Sequence, residues 1–135
     1  MTIGENIMVD KMKLKECVLL IAEDENTNYL YLEFLLKNKV KRIDRAINGR
    51  FAIEMALNNQ YDLILMDLKM PFMNGVEATS KLKQKKPEIP IIVQTAYSMP
   101  EEREAAFEAG CDDYITKPIR RGDLMEVIGK FMSLA

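Results

Sequence analysis

Leu63-Ile64-Leu65-Met66 is a run of four apolar residues with no polar alternation, and it stops at Asp67. A strand patterned in this way is buried on both faces, which requires a parallel sheet with helices packed on either side. Val18-Leu19-Leu20-Ile21-Ala22 is a second run of this kind and ends in Glu23 and Asp24. Ile91-Ile92-Val93-Gln94 is a third and ends in Thr95, and a shorter piece, Tyr114-Ile115-Thr116, ends in Lys117. Between the runs the apolar residues recur at helical spacing, so strand and helix alternate along the chain. Helices are expected over residues 27–39, 50–59, 75–85, 100–109 and 121–132, with an alternating edge strand over 40–46. Their inner faces would use Asn28, Leu32, Leu35 and Leu36, then Phe51, Met55 and Ala52, and last Leu124, Val127, Ile128 and Phe131. Pro100 suits a first helical position and Gly110 a left-handed helix end. Right-handed crossovers leave few ways to join five such units. The expected fold is α/β and flavodoxin-like, a doubly wound five-stranded parallel sheet of order 2-1-3-4-5 with helices on both faces.

Composition excludes several classes of function. At 135 residues the chain is one domain, expected over 16–135 after an N-terminal lead or linker over 1–15. A net charge of -2 offers no broad basic face, so direct nucleic-acid binding is not expected. No apolar stretch reaches the ~20 residues of a membrane span, and the N-terminus lacks the apolar segment of a signal peptide. A cytoplasmic setting is expected, with Cys17 and Cys111 as reduced, buried thiols. The chain has no histidine. Ser-His-Asp and Cys-His catalysis are therefore impossible, and the chain cannot itself carry a phosphohistidine. In phosphate chemistry it would be the receiver.

The strand ends hold the chemistry. Open parallel sheets collect ligands beyond the carboxyl ends of their strands. Glu23, Asp24 and Asp67 would meet there on adjacent strands, where mutual repulsion favours a bound Mg²⁺ with oxygen ligands at ~2.0–2.1 Å. Asp67 is the candidate nucleophile, since an aspartate can accept a phosphoryl group as an acyl phosphate. Lys117 would supply a compensating point charge and Thr95 a hydroxyl donor. Each residue alone has an ordinary reading. Asp24 can cap the following helix, Lys117 can be a surface lysine, and Thr95 can simply end a strand. Tyr114 is either a half-buried strand tyrosine or an aromatic ring that moves into space vacated by Thr95. The Lys117–Pro118 bond can be cis or trans. Tyr29, Tyr31 and the methionines read as packing and surface fill.

As a set, Glu23-Asp24, Asp67 with Met70-Pro71 and Asn74-Gly75, Thr95-Ala96, Asp113-Tyr114 and Lys117-Pro118 resemble the receiver domain of two-component response regulators. The resemblance covers about residues 17–132. It implies Mg²⁺-dependent transfer of phosphate to Asp67 from a partner's phosphohistidine, on a histidine kinase or a histidine phosphotransfer domain. It further implies that Glu23, Asp24 and Asp67 are metal ligands, with Lys69 contributing its backbone carbonyl. Thr95, Ala96 and Lys117 would hold the phosphoryl group, and Thr95 with Tyr114 would switch the face of helix 4, strand 5 and helix 5. That face could support a phosphorylation-dependent homodimer. The stretch Ile21-Ala22-Glu23-Asp24, Asn28 and the ending Lys117-Pro118-Ile119 are similar to receivers of hybrid sensor histidine kinases, for which the lead would be a linker. Activity of the domain itself would be limited to self-phosphorylation and autodephosphorylation.

Three other classes compete. A haloacid-dehalogenase-like phosphatase also uses an aspartyl nucleophile but wants an acid where Lys69 stands. A flavodoxin would need a Ser/Thr/Gly-rich phosphate loop that the chain lacks. A degenerate receiver that only docks proteins would have no need of three mutually repelling acids. The resemblance to receivers further implies that Lys69 and Tyr97 would flank the path of a hydrolytic water, where their bulk and charge should slow loss of phosphate. The double substitution Lys69→Ala, Tyr97→Ala is expected to shorten the phosphorylated lifetime, as followed by intact mass after removal of the phosphodonor. An unchanged decay rate would refute this role.

Overall fold

The computed structural model describes residues 10–96 and 99–135. Five parallel strands form one sheet: β1 Val18–Ala22, β2 Arg42–Ala46, β3 Leu63–Asp67, β4 Ile91–Thr95 and β5 Asp113–Thr116. Their order is β2-β1-β3-β4-β5, as the alternation of segments required. Five helices alternate with them: α1 Asn26–Leu36, α2 Gly49–Asn58, α3 Gly75–Lys85, α4 Pro100–Glu108 and α5 Arg121–Ile128. This is the doubly wound flavodoxin-like fold.

The unbroken apolar runs explain the two cores. Successive residues of a strand point to opposite faces. Leu19, Ile21, Leu63, Leu65 and Ile92 pack with Leu32, Leu36, Leu124 and Ile128 of α1 and α5. Leu20, Ala22, Ile64, Met66, Ile91 and Val93 pack on the other face against Ala52, Ala56, Ala78, Leu82 and Ala106 of α2, α3 and α4. The two edge strands, β2 and β5, are partly exposed, whereas β3 and β4 are buried along their whole length.

Helix starts are set by local chemistry. Asn48 Oδ1 accepts from Phe51 N at 2.8 Å, and Asn74 Oδ1 accepts from Glu77 N at 2.9 Å. Each satisfies an amide that the first helical turn would leave unpaired. Pro100 opens α4, and Gly110 ends it with φ +105°. The thiols of Cys17 and Cys111 are free and buried, and burial pushes their pKa values up to about 12 and about 11.

Two expectations need correction. Phe51 does not face inward; it is 44% exposed, and the inner stripe of α2 is Ala52 with Ala56. Small residues are needed there because α2 lies close to the chain before α3, where a Cβ on Gly49 would overlap the carbonyl of Met73. Two helices also end earlier than their periodicity indicated, α1 at Leu36 after starting at Asn26, and α5 at Ile128, so that Phe131 packs from beyond the helix end. Within the expected lead, Leu14 is buried in the α1/α5 core after a 3₁₀ turn over Leu14–Glu16. Leu14 N donates to Ser133 O at 2.8 Å, and Ser133 N donates to Met12 O at 2.8 Å. Residues 1–9 lie outside the described residues.

Gly75, the first residue of α3, fixes how the loop after β3 folds back. A Cβ there would overlap the carbonyl oxygen of Asp67 and sit 2.8 Å from Leu68 Cα. Backbone cannot yield as a flexible side chain can. Gly75→Ala is therefore expected to destabilise the domain by about 1–3 kcal/mol, an overpacking cost read from urea unfolding.

Candidate phosphoryl and metal site

The in-register parallel sheet delivers the ends of β1, β3, β4 and β5 to one rim. Ala22 pairs with Met66, Asp67 with Gln94, and Thr95 with Thr116. Glu23, Asp24, Asp67, Thr95 and Lys117 are therefore neighbours in space although they span most of the sequence. One carboxylate oxygen from each of Glu23, Asp24 and Asp67 lies within 4.8 Å of the others. Lys117 Nζ stands 3.2 Å from Asp67 Oδ1 and 3.3 Å from Glu23 Oε1. Glu23 and Asp67 are 1% and 4% exposed, whereas Asp24 is open to solvent.

Electrostatics follow from burial and crowding. Burial and the neighbouring Asp67 charge push the Glu23 carboxyl up to about 7, with the Glu25 amide and Lys117 pulling it partly back. Burial also raises Asp67, against the opposing pull of Lys117. Desolvation favours a neutral Lys117, but the carboxylates of Asp67 and Glu23 outweigh it and raise its pKa. With all groups ionised, three carboxylates against one ammonium leave a net charge of two negatives at the rim. A divalent cation would cancel that excess. The donors are all oxygen, as Mg²⁺ prefers over softer metals. The cluster fits a metal site.

Thr95 is fully buried at the end of β4 and shares the sheet face of Val93, against which Tyr114 also packs. The Tyr114 ring stacks on Phe107 at 6.5 Å between centroids and lies under the Arg103 guanidinium at 5.5 Å. Thr95 O accepts from Lys117 N at 2.7 Å, which ties the two strand ends together. Ala96 follows as an exposed residue. The Lys117–Pro118 bond is cis. Lys69 extends its ammonium to Glu102 Oε2 of α4 at 3.4 Å. Beside it an open cleft of about 570 Å³ runs between Asp24, Asn74, Glu101 and Glu102. Tyr97 lies outside the described residues.

Some residues carry roles that their sequence positions did not reveal. Tyr31, read as surface fill, donates its hydroxyl to Ile119 O at 2.6 Å and ties α1 to the loop after β5. Gln94 is 1% exposed, and neither amide atom has a hydrogen-bond partner among the described residues. It lines a second cavity of about 280 Å³ together with Asn28, Tyr31, Leu32, Lys117 and Pro118. Arg45 reaches from β2 into the loop that carries Glu23 and Asp24. The run ending in Thr95 implied burial of Gln94 but not that its amide would lack partners, and the other two contacts join distant parts of the chain.

The model of the response regulator receiver domain matches residues 19–129, which includes every one of these rim residues. The chain belongs to the response regulator receiver family. The domain is thus a receiver of two-component signalling. It is 36% identical over 134 residues to hybrid signal transduction histidine kinase G of Dictyostelium discoideum, a match covering 94% of this chain and 4% of that protein. It is 33% identical to the sensor histidine kinase GacS of Pseudomonas protegens, covering 86% of this chain and 13% of that one. With the response regulator ArlR of Staphylococcus aureus it shares 34% identity, covering 86% of this chain and 51% of the other. The receiver therefore spans between a small fraction and about half of these relatives. Among solved structures, it is similar to the receiver domain of a Pseudomonas aeruginosa sensor histidine kinase with magnesium in its active-site cleft. The TM-score is 0.80 at 29% identity, covering 86% of this chain and 97% of the other. A Saccharomyces cerevisiae receiver bound to a histidine phosphotransfer protein matches at TM-score 0.80 and 27% identity, covering 87% and 90%.

The raised Glu23 pKa has a consequence for stability without metal. The folded state holds this proton more tightly than the unfolded chain, whose carboxyl titrates near 4.5. The stabilisation is fully present below 4.5 and is lost as pH rises through about 7. Metal-free receiver is expected to lose on the order of 3 kcal/mol between pH 4.5 and pH 8 from this group. Urea unfolding across that range checks it, and Glu23→Gln should flatten the slope.

Proposed function

We propose that this receiver accepts a phosphoryl group on Asp67 from a phosphohistidine of a histidine kinase or a histidine phosphotransfer domain. The observation that supports this most directly is the Lys117 ammonium at 3.2 Å from Asp67 Oδ1, beside two further carboxylates. The buried Asp67 carboxylate attacks phosphorus in line with the donor's P–N bond. The new bond is Asp67 O–P, the broken one is P–N, and the leaving imidazole nitrogen keeps the electron pair and takes a proton from solvent. Loose phosphoryl transfer needs little covalent help, so positioning and charge stabilisation dominate. Lys117 faces the transferred oxygens and offsets their charge, and Thr95 with the Ala96 amide receives them. Glu23, Asp24, Asp67 and the Lys69 carbonyl would hold Mg²⁺, which supplies charge neutralisation on the phosphoryl oxygens.

The proposed switching is supported by the strand register, which sets Tyr114 beside Val93, two residues before Thr95 on the same sheet face. Movement of Thr95 towards a phosphoryl oxygen opens volume for the Tyr114 ring, which changes the surface of α4, β5 and α5. A homodimer through that surface is the simplest readout. The domain would serve a hybrid sensor kinase in the cytoplasm, consistent with its kinase relatives. Among the described residues, no helix is long and apolar enough to cross a membrane.

Incubation with acetyl phosphate or phosphoramidate and Mg²⁺ should add one phosphoryl group by intact mass, and Asp67→Asn should abolish it. Lys117→Met should slow the reaction by about a hundredfold, the scale for removing one preorganised charge-stabilising donor. Steady turnover of phosphoesters would instead indicate a phosphatase. No covalent addition under any condition would indicate a docking module.

A further inference from the structure

We infer that Arg45 is a positioning residue for the cation site, holding the Glu23–Asp24 loop in the shape that binds the metal. This rests on the reading of Glu23 and Asp24 as cation ligands. Arg45 is on β2, in register with Ile21 two residues before the acids. Its Nε donates to the Glu23 carbonyl at 3.0 Å, and its Nη1 donates to Asn26 Oδ1 at 2.7 Å. One planar fork thus spans the loop, with Asp24 and Glu25 between its two anchor points. The guanidinium also lies 4.7 Å from the centroid of the Tyr29 ring, one turn into α1, and that ring is 9% exposed.

Besides the Lys117 ion pair on Glu23 and the hydrogen bond from Tyr29 N to Glu25 O, few contacts shape this loop. Glu25 occupies the N-cap of α1 but makes no side-chain cap hydrogen bond. Glu23 N donates to Ala46 O at 2.9 Å, which fixes only the first residue of the turn. Glu25 N reaches Glu23 Oε2 at 3.1 Å, a bond that draws on the same carboxylate expected to bind metal. The guanidinium therefore ties the loop to the first residue of α1 by donating to both, and Tyr29 gives it a flat surface on which to rest.

Two effects of Arg45 oppose each other. Its positive charge repels a cation, whereas its fork pre-orders two ligands that would otherwise have to be fixed on binding. Asp24 is exposed, so solvent screens the repulsion. Ordering is local and unscreened, so positioning prevails. Lysine cannot substitute, because an ammonium lacks the fork that reaches both anchors at once.

Calorimetric titration with Mg²⁺ tests this on wild type, Arg45→Met, Arg45→Lys and Asp24→Asn, with circular dichroism confirming that each is folded. Both Arg45 variants are expected to bind Mg²⁺ about tenfold more weakly, the lower end for loss of a residue that orients metal ligands. Their phosphorylation rate with acetyl phosphate should return to near wild type once Mg²⁺ saturates, separating affinity from chemistry. Unchanged or tighter binding in Arg45→Met overturns the proposal, because charge would then outweigh position. Wild-type affinity in Arg45→Lys also overturns it, since the two-anchor fork would then be unnecessary. Wild type that binds no Mg²⁺, or Asp24→Asn that binds it normally, rejects the cation reading itself and the role of Arg45 with it.

Discussion

One ammonium between two buried carboxylates governs this domain. Lys117 lies within 3.3 Å of both Glu23 and Asp67, and neither acid has enough water around it to ionise without help. Each group therefore depends on the others for its charge state. Such a cluster is costly to build, and breaking a buried pair usually costs more than forming it gains. The arrangement makes sense as a site held short of positive charge, which suits the proposed cation and phosphoryl group.

The sheet makes this economy of groups feasible. Parallel strands in register end at a common level, and the loops after them are short enough to keep Glu23, Asp67, Thr95 and Lys117 at one rim. Hydrocarbon on both faces carries the stability, with Leu19, Leu63 and Leu65 against α1 and α5, and Leu20, Ile64 and Met66 against the other helices. Polar chemistry is thereby confined to the strand ends, where water and partners can reach it.

Much of this was legible from sequence. The fold was readable because Leu63-Ile64-Leu65-Met66 and its counterparts are apolar on consecutive positions, a pattern that only a doubly covered sheet accommodates. The convergence of Glu23, Asp24, Asp67 and Lys117 was readable because each directly follows or ends such a run. What sequence did not disclose depends on size and on distance. Phe51 looked like the inner residue of α2 by hydrophobicity, yet the close approach of chain at Gly49 admits only Ala52 and Ala56. The contacts of Tyr31 with Ile119, Arg45 with Glu23 and Lys69 with Glu102 are set by how elements cross, which periodicity does not encode.

The pairing of residues near 13 with residues near 133 carries a mechanical implication. Leu14 and Ser133 share a hydrogen bond, Ser133 also holds Met12, and Lys11 Nζ reaches Gly129 O at 2.8 Å. The polypeptide leading into β1 is therefore spliced to the stretch leaving α5. A tilt or slide of α5 would tug on that splice, so any rearrangement of this helix would be relayed to the incoming strand of chain without passing through the rim.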